Sequence, residues 1–194
     1  MSTTAIARST VGRAEEQTSA GMQYLTFMLG GELFAVPIGT IREVIEYSGL
    51  TRIPLAPPAL PGVLNLRGAV VPVVDLSLRF GRAPMQVGRR TCVIIVETET
   101  EDGLQAVGVI VDAVSEALEV SRSQIEHRPA FGSGLRSDFV SSMLKVEGRF
   151  IVVLDMRVVL SMAELEQLVV SATLGASVGR ERTVELARIK EQGA

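Results

Sequence analysis

Tryptophan is missing from this chain, aromatic residues make up only 4% of it, and its 194 residues include one cysteine and one histidine. Each shortage removes a class of function. A disulfide framework needs paired cysteines, so Cys92, inside the apolar run TCVIIV, is expected to be a small buried hydrophobe in a reducing compartment. Metal centres and catalytic triads need clustered ligands or a nucleophile beside a base. His127, in the polar segment IEHRPAF, has neither and reads as a loop residue. No glycine-rich phosphate loop is present, since the GSG at 132–134 lacks a lysine to complete it. Positive charge is also scarce: the net charge of -3 and a pI near 5.3 leave no basic stripe for phosphates, and six Phe and two Tyr give little to stack bases on. Nucleic acid is therefore excluded as a partner. No run approaches the ~18 apolar residues of a membrane span, and residues 1–21 lack the apolar stretch of a secretory signal. The expectation is a cytoplasmic protein with no direct membrane insertion.

What is present is aliphatic. Hydrophobic residues reach 47%, mostly Val, Leu, Ile and Ala, a mixture that suits strands packed through β-branched side chains. In QYLTFMLGGELFAVPI the pair Gly30–Gly31 predicts a hairpin, and GTIREVIEY predicts one turn running into a strand. The prolines of TRIPLAPPALPG enforce an irregular extended loop. VLNLRGAVVPVVDL reads as strand, turn at Arg67 and Gly68, then strand, ended by Asp75 as the cap of a short helix LSLRF. Pro72 marks an edge position or a bulge. Residues 83–90 form a linker, and EDG separates two more strand-like runs. From Ser161 the spacing predicts a helix with Glu164 completing a capping box, packing back through Leu165, Leu168 and Val169. Residues 1–21 are expected to be a disordered tail and 171–194 a C-terminal helix or tail.

The chain also repeats itself. RGAVVPVVDLSLRF (67–80) and EGRFIVVLDMRVVL (147–160) place glycine, apolar run, aspartate and helix-like tail in the same order at an offset of 80. A weaker match sets FAVPIGTIREV (34–44) against VGVIVDAVSEA (107–117), with Glu43 falling on Glu116. Two copies of a small unit of about five strands, with the apolar excess in the seam between them, is the economical reading. An aspartic dyad of Asp75 and Asp155 is the one enzymatic idea the repeat suggests. Neither aspartate is followed by the tight turn such a dyad needs, and helix capping accounts for both.

Taken together, GGELFAVPIGTIREVIEY, TRIPLAPPALPGVLNLRGAVVPVVDL, AVGVIVDAVSEALEV and GRFIVVLDMRVVLS resemble the CheW family of chemotaxis coupling proteins over residues 22–170. That resemblance implies a mainly β fold of two similar five-stranded SH3-like β-barrels packed on each other, here two intertwined subdomains of about 34–82 and about 91–155, with short helices and a C-terminal helix. It implies no catalysis and no cofactor. The function it implies is a scaffold that couples chemoreceptors, through their cytoplasmic tips, to the regulatory domain of the histidine kinase CheA. A coupling protein of another chemosensory array, such as that of twitching motility, is the alternative. Carried over residue by residue, Asn65, Leu66, Arg67 and Gly68 match the family's NLRG turn, and Glu43 matches its acid. An ion pair of Glu43 and Arg67 is expected beside the groove between the barrels, with Val36, Val44 and Leu66 supplying apolar contact.

Overall fold

The computed structural model describes residues 21–100, 103–127 and 136–161. The expected N-terminal tail, the GSG turn, the helix from Ser161 and the C-terminal tail fall outside those residues, as do Glu164, Leu165, Leu168 and Val169. The described chain is built of short strands. β1 (Met22–Leu29) and β2 (Glu32–Pro37) form the predicted hairpin, with Gly30 and Gly31 at positive φ, and a turn at Ile38–Thr40 leads into β3 (Ile41–Glu46). The proline-rich loop follows. β4 (Gly62–Leu66) and β5 (Ala69–Asp75) come next, then the one-turn helix α1 (Leu76–Arg79). A second long hairpin pairs β6 (Cys92–Thr100) with β7 (Gly103–Val111), and β8 (Ala113–Val120), β9 (Ile125–His127), β10 (Val140–Val146), β11 (Arg149–Leu154) and α2 (Met156–Val159) complete the order.

These strands make two sheets, ordered β8-β1-β2-β11-β10-β9 and β3-β6-β7-β5-β4. The orders correspond strand for strand: a hairpin (β1-β2 or β6-β7), an outer strand beside it (β8 or β3), a parallel partner (β11 or β5) and that partner's own hairpin mate (β10 or β4). The offset of 80 places β11 on β5 and α2 on α1. The weaker match, at 73, places β7 on β2 and β8 on β3. Both repeats seen in the sequence are therefore repeats of structure.

The division into 34–82 and 91–155 is corrected by this topology. After the β1-β2 hairpin the chain crosses into the other sheet to lay down β3, and after β6-β7 it crosses back to lay down β8, so each sheet is finished by a strand following the other's hairpin. One sheet draws on residues 22–37 and 113–154, the other on 41–111. The first has six strands rather than five, because His127 lies on β9, opposite Ser142, and not in a loop.

Both faces of the central strands are buried, and alternate residues serve different cores. Tyr24, Ala35, Val120, Leu144, Ile151 and Val153 pack together inside the first sheet. Val71, Val73, Val93, Ile95 and Ile110 do the same inside the second. Val120 brings the outermost β8 into the first group, and half-buried Ile45 and Leu64 bring the outermost β3 and β4 against the second, so each sheet curls round its own core. The remaining faces meet in the largest cluster, where Phe27, Phe34, Val36 and Leu154 of one sheet press on Ile94, Val96, Val107 and Val109 of the other. The expected apolar seam is this cluster. Arg79 ties the two short helices across it: its Nε donates to the Val159 carbonyl at 2.7 Å, and its guanidinium lies 4.7 Å from the centre of the Phe139 ring. Arg136 covers Phe139 as well and holds the Asp138 carboxyl below its ordinary pKa by a side-chain hydrogen bond. Cys92 is half-buried, not buried, because it opens β6 where the chain enters from the linker. Pro72 sits where β5 pairs with β4 alone, since its pairing with β7 starts at Val73. That leaves the missing N–H on a locally open edge, as expected.

Candidate functional site

The β4–β5 turn consists of Arg67 at φ +53° and Gly68 at φ +92°, flanked by the pair Leu66–Ala69. Positive φ at both central residues matches the twist of the flanking strands, and glycine meets that demand at no steric cost. An arginine does not; the left-handed region costs a residue with a Cβ about 1 kcal/mol. The Asn65 side-chain oxygen accepts from the Gly68 N–H at 2.8 Å and pins the turn.

Across the opening of the curled sheet lies Glu43 on β3. β3 and β4 are the outer strands of their sheet, yet Arg67 Nη2 reaches Glu43 Oε2 at 3.0 Å, so the ion pair spans the two ends of the strand order. The predicted pair therefore forms. Its two sides differ in exposure: the Glu43 side chain is 19% exposed and that of Arg67 78%. One carboxylate oxygen holds one arm of the fork, and the rest of the guanidinium faces water, oriented and able to donate. A bulge at Arg42 shifts the β3 register between Ile41 and Glu43, and Arg42 lies 3.7 Å from Glu97 on β6. Nearby, a crevice of about 360 Å³ opens between the sheets, lined by Pro37, Thr40, Glu97, Leu154, Met156 and Arg157 among others.

The three apolar residues expected beside this pair differ in exposure. Val36 is 1% exposed, sealed in the core between the sheets, and cannot touch another molecule; this corrects its expected role. Its strand is buried on both faces, so no register could have turned it outward. Val44 is 41% exposed and Leu66 is half-buried against the second sheet's own core. The apolar residue beside the turn is Val70, 71% exposed. Alternation could have found it, since Val71 and Val73 point inward and Val70 must point out.

Asp75 and Asp155 are caps. Asp75 accepts from the N–H groups of Ser77, Leu78 and Met85 at 2.8, 3.2 and 3.0 Å, and Asp155 accepts from that of Arg157 at 3.1 Å. Each carboxylate serves its own helix. Among the described residues no group of three His, Cys, Asp or Glu could hold a metal ion, and no helix is long and apolar enough to cross a membrane.

Comparison with known proteins agrees with this arrangement. The CheW-like domain model matches residues 23–164. The chemotaxis protein CheW of Rhizobium meliloti is 34% identical over 153 residues, which is 79% of this chain and 96% of that protein. Among solved structures, the scaffolding protein TtCheW from Thermoanaerobacter tengcongensis superposes with a TM-score of 0.66 at 30% identity, covering 72% of this chain and 92% of that one. The protein PilI of Pseudomonas aeruginosa matches over 83 residues at 29% identity, 42% of this chain and 47% of PilI. With its duplicated sheets, its apolar seam and its NLRG turn, the chain belongs to the CheW-like family of chemotaxis adaptors.

Proposed function

We propose that this adaptor couples the cytoplasmic tips of chemoreceptors to the regulatory domain of the histidine kinase CheA, and that it does so from the cytoplasm, recruited to receptor arrays at the membrane. It binds and positions; it transforms no substrate. The observation that carries the reading is the Glu43–Arg67 pair. A guanidinium that meets a half-buried carboxylate at 3.0 Å is biased toward one orientation before any partner arrives, which lowers the entropy lost on binding. Asn65 and Gly68 keep the turn that presents it, and the exposed Val44 and Val70 supply apolar surface at its margin. An interface of this kind is modest in a single contact and gains strength through many copies in an array.

The test is co-sedimentation of the purified chain with receptor-bearing membranes, with and without the cognate kinase. Arg67→Glu is expected to lower binding about 100-fold, with the melting temperature nearly unchanged because Arg67 is exposed. A variant that unfolds instead makes Arg67 structural. The short match to PilI gives a twitching-type array little weight beside the full-length chemotaxis relatives.

A further inference from the structure

A second cavity lies at the other end of β2 from the crevice beside Glu97, since Gly30 precedes the strand and Pro37 ends it. It encloses about 340 Å³. Gly30 lines it from the hairpin of the first sheet, Ser77 from α1, residues 82–86 from the linker of the second sheet, and Asp112 from the crossing between β7 and β8. Both units therefore contribute walls. The linker wall is fixed in place: the Arg82 N–H donates to the Ser77 carbonyl at 2.8 Å, and the Met85 N–H donates to Asp75 at 3.0 Å. A pre-formed space of this size suits a small ligand.

Ser77 shows that the space is more than a packing gap. The residue is 5% exposed, and its hydroxyl has no hydrogen-bond partner among the described residues, where its N–H and carbonyl are both bonded. No described side chain seals a polar atom away without a partner, so this hydroxyl opens on the cavity it lines. It can both donate and accept there. Two opposite charges share the same walls. Asp112 Oδ2 accepts from the Gly30 N–H at 2.6 Å, and Oδ1 has no partner among the described residues. Beside the same glycine, Arg82 Nη1 lies 3.1 Å from where a Cβ would stand, while Nη2 meets Glu32. With the intervening bond lengths included, the Asp112 carboxylate and the Arg82 guanidinium lie within about 9 Å of each other.

We propose that this cavity binds a free α-amino acid. The ligand's carboxylate takes the donors of Arg82 that Glu32 leaves open, its ammonium donates to Asp112 and the Ser77 hydroxyl, and its side chain rests on Pro84 and Met85. The two charges of such a molecule are about 3 Å apart and each charge-assisted hydrogen bond adds about 2.8 Å, so the span matches the gap. A purely anionic ligand meets the Asp112 carboxylate, and a simple amine meets the Arg82 cation. Only a zwitterion is satisfied at both ends. Because the walls come from both units, the bound ligand clasps them together and stabilises the fold by mass action. The site is independent of the coupling function.

The experiment titrates the full-length chain with each common L-amino acid by calorimetry and follows thermal unfolding, with the matching amino-acid amides and N-acetyl amino acids as probes that lack one charge. At least one free amino acid is expected to raise the melting temperature by about 5–10 °C at about 100 times its Kd, and its amide and N-acetyl forms are expected to leave it unmoved. Ser77→Ala should weaken binding about tenfold, with the melting temperature of the unliganded chain unchanged. Asp112→Asn keeps an oxygen for the Gly30 N–H but removes the charge, and should weaken binding by about tenfold or more; it decides the matter if Ser77→Ala does not fold. An unaltered chain that binds none of the amino acids with a Kd below about 10 mM overturns the proposal. Equal binding of the amides or N-acetyl forms overturns the zwitterion, and full binding by both variants places the ligand elsewhere and overturns the site.

Discussion

The β4–β5 turn and the β10–β11 turn are the same object built twice. Arg67 and Gly68 have φ of +53° and +92°; Glu147 and Gly148, 80 positions on, have +50° and +77°. The chemistry they carry is opposite. One turn presents an arginine paired with Glu43, whereas the other presents Glu147, and the counterpart of Glu43 is a second acid, Glu116. Backbone geometry is therefore common to both units and indifferent to charge, so the ion pair is no requirement of the fold. The ion pair marks a difference between the two units that their shared backbone does not impose.

The helix caps extend the comparison and give the largest expected effect. Asp75 is 5% exposed and satisfies three N–H groups, while the Asp155 side chain is 22% exposed and also meets Arg157. Asp75→Ala strands buried donors and should cost about 3 kcal/mol, against about 1 kcal/mol for Asp155→Ala, read from urea unfolding midpoints. Equal losses would mean that burial does not separate the two copies. Next, Gly68→Ala and Gly148→Ala should each cost about 1 kcal/mol, since nothing lies within 4 Å of either added Cβ and only the positive φ opposes it. Their stability losses should match while only Gly68→Ala weakens receptor binding. The smallest effect sharpens the contrast most: Glu147→Arg restores the missing cation opposite Glu116. A double-mutant cycle with Glu116→Gln should find a coupling of about 0.5 kcal/mol, as for an exposed pair; zero coupling would show that the sheet of β8 and β10 is not closed as the sheet of β3 and β4 is.

Local features were legible in the sequence, and global assignment was not. Gly30–Gly31, the Arg67–Gly68 turn, the two capping aspartates and the offset of 80 are short-range signals, each enforced by a backbone rule that acts within a few residues. The Glu43–Arg67 pair came from family resemblance. What could not be read is which sheet takes each strand. Leu33 and Ala35 serve one core while Phe34 and Val36 serve another, so the strand lacks the polar alternation that marks an outer face. The same double burial put Val36 on a surface where it does not belong.

The crossing of β3 and β8 has a consequence for synthesis on the ribosome. The β1-β2 hairpin emerges early, yet its neighbours on either side are β8 and β11, and Phe34 does not meet Val152 until nearly the whole described chain has been made. At about 5–20 residues per second the nascent hairpin waits roughly ten seconds with two greasy faces bare. The second sheet is complete in sequence by Val111 and can close first, serving as the template on which the earlier hairpin condenses.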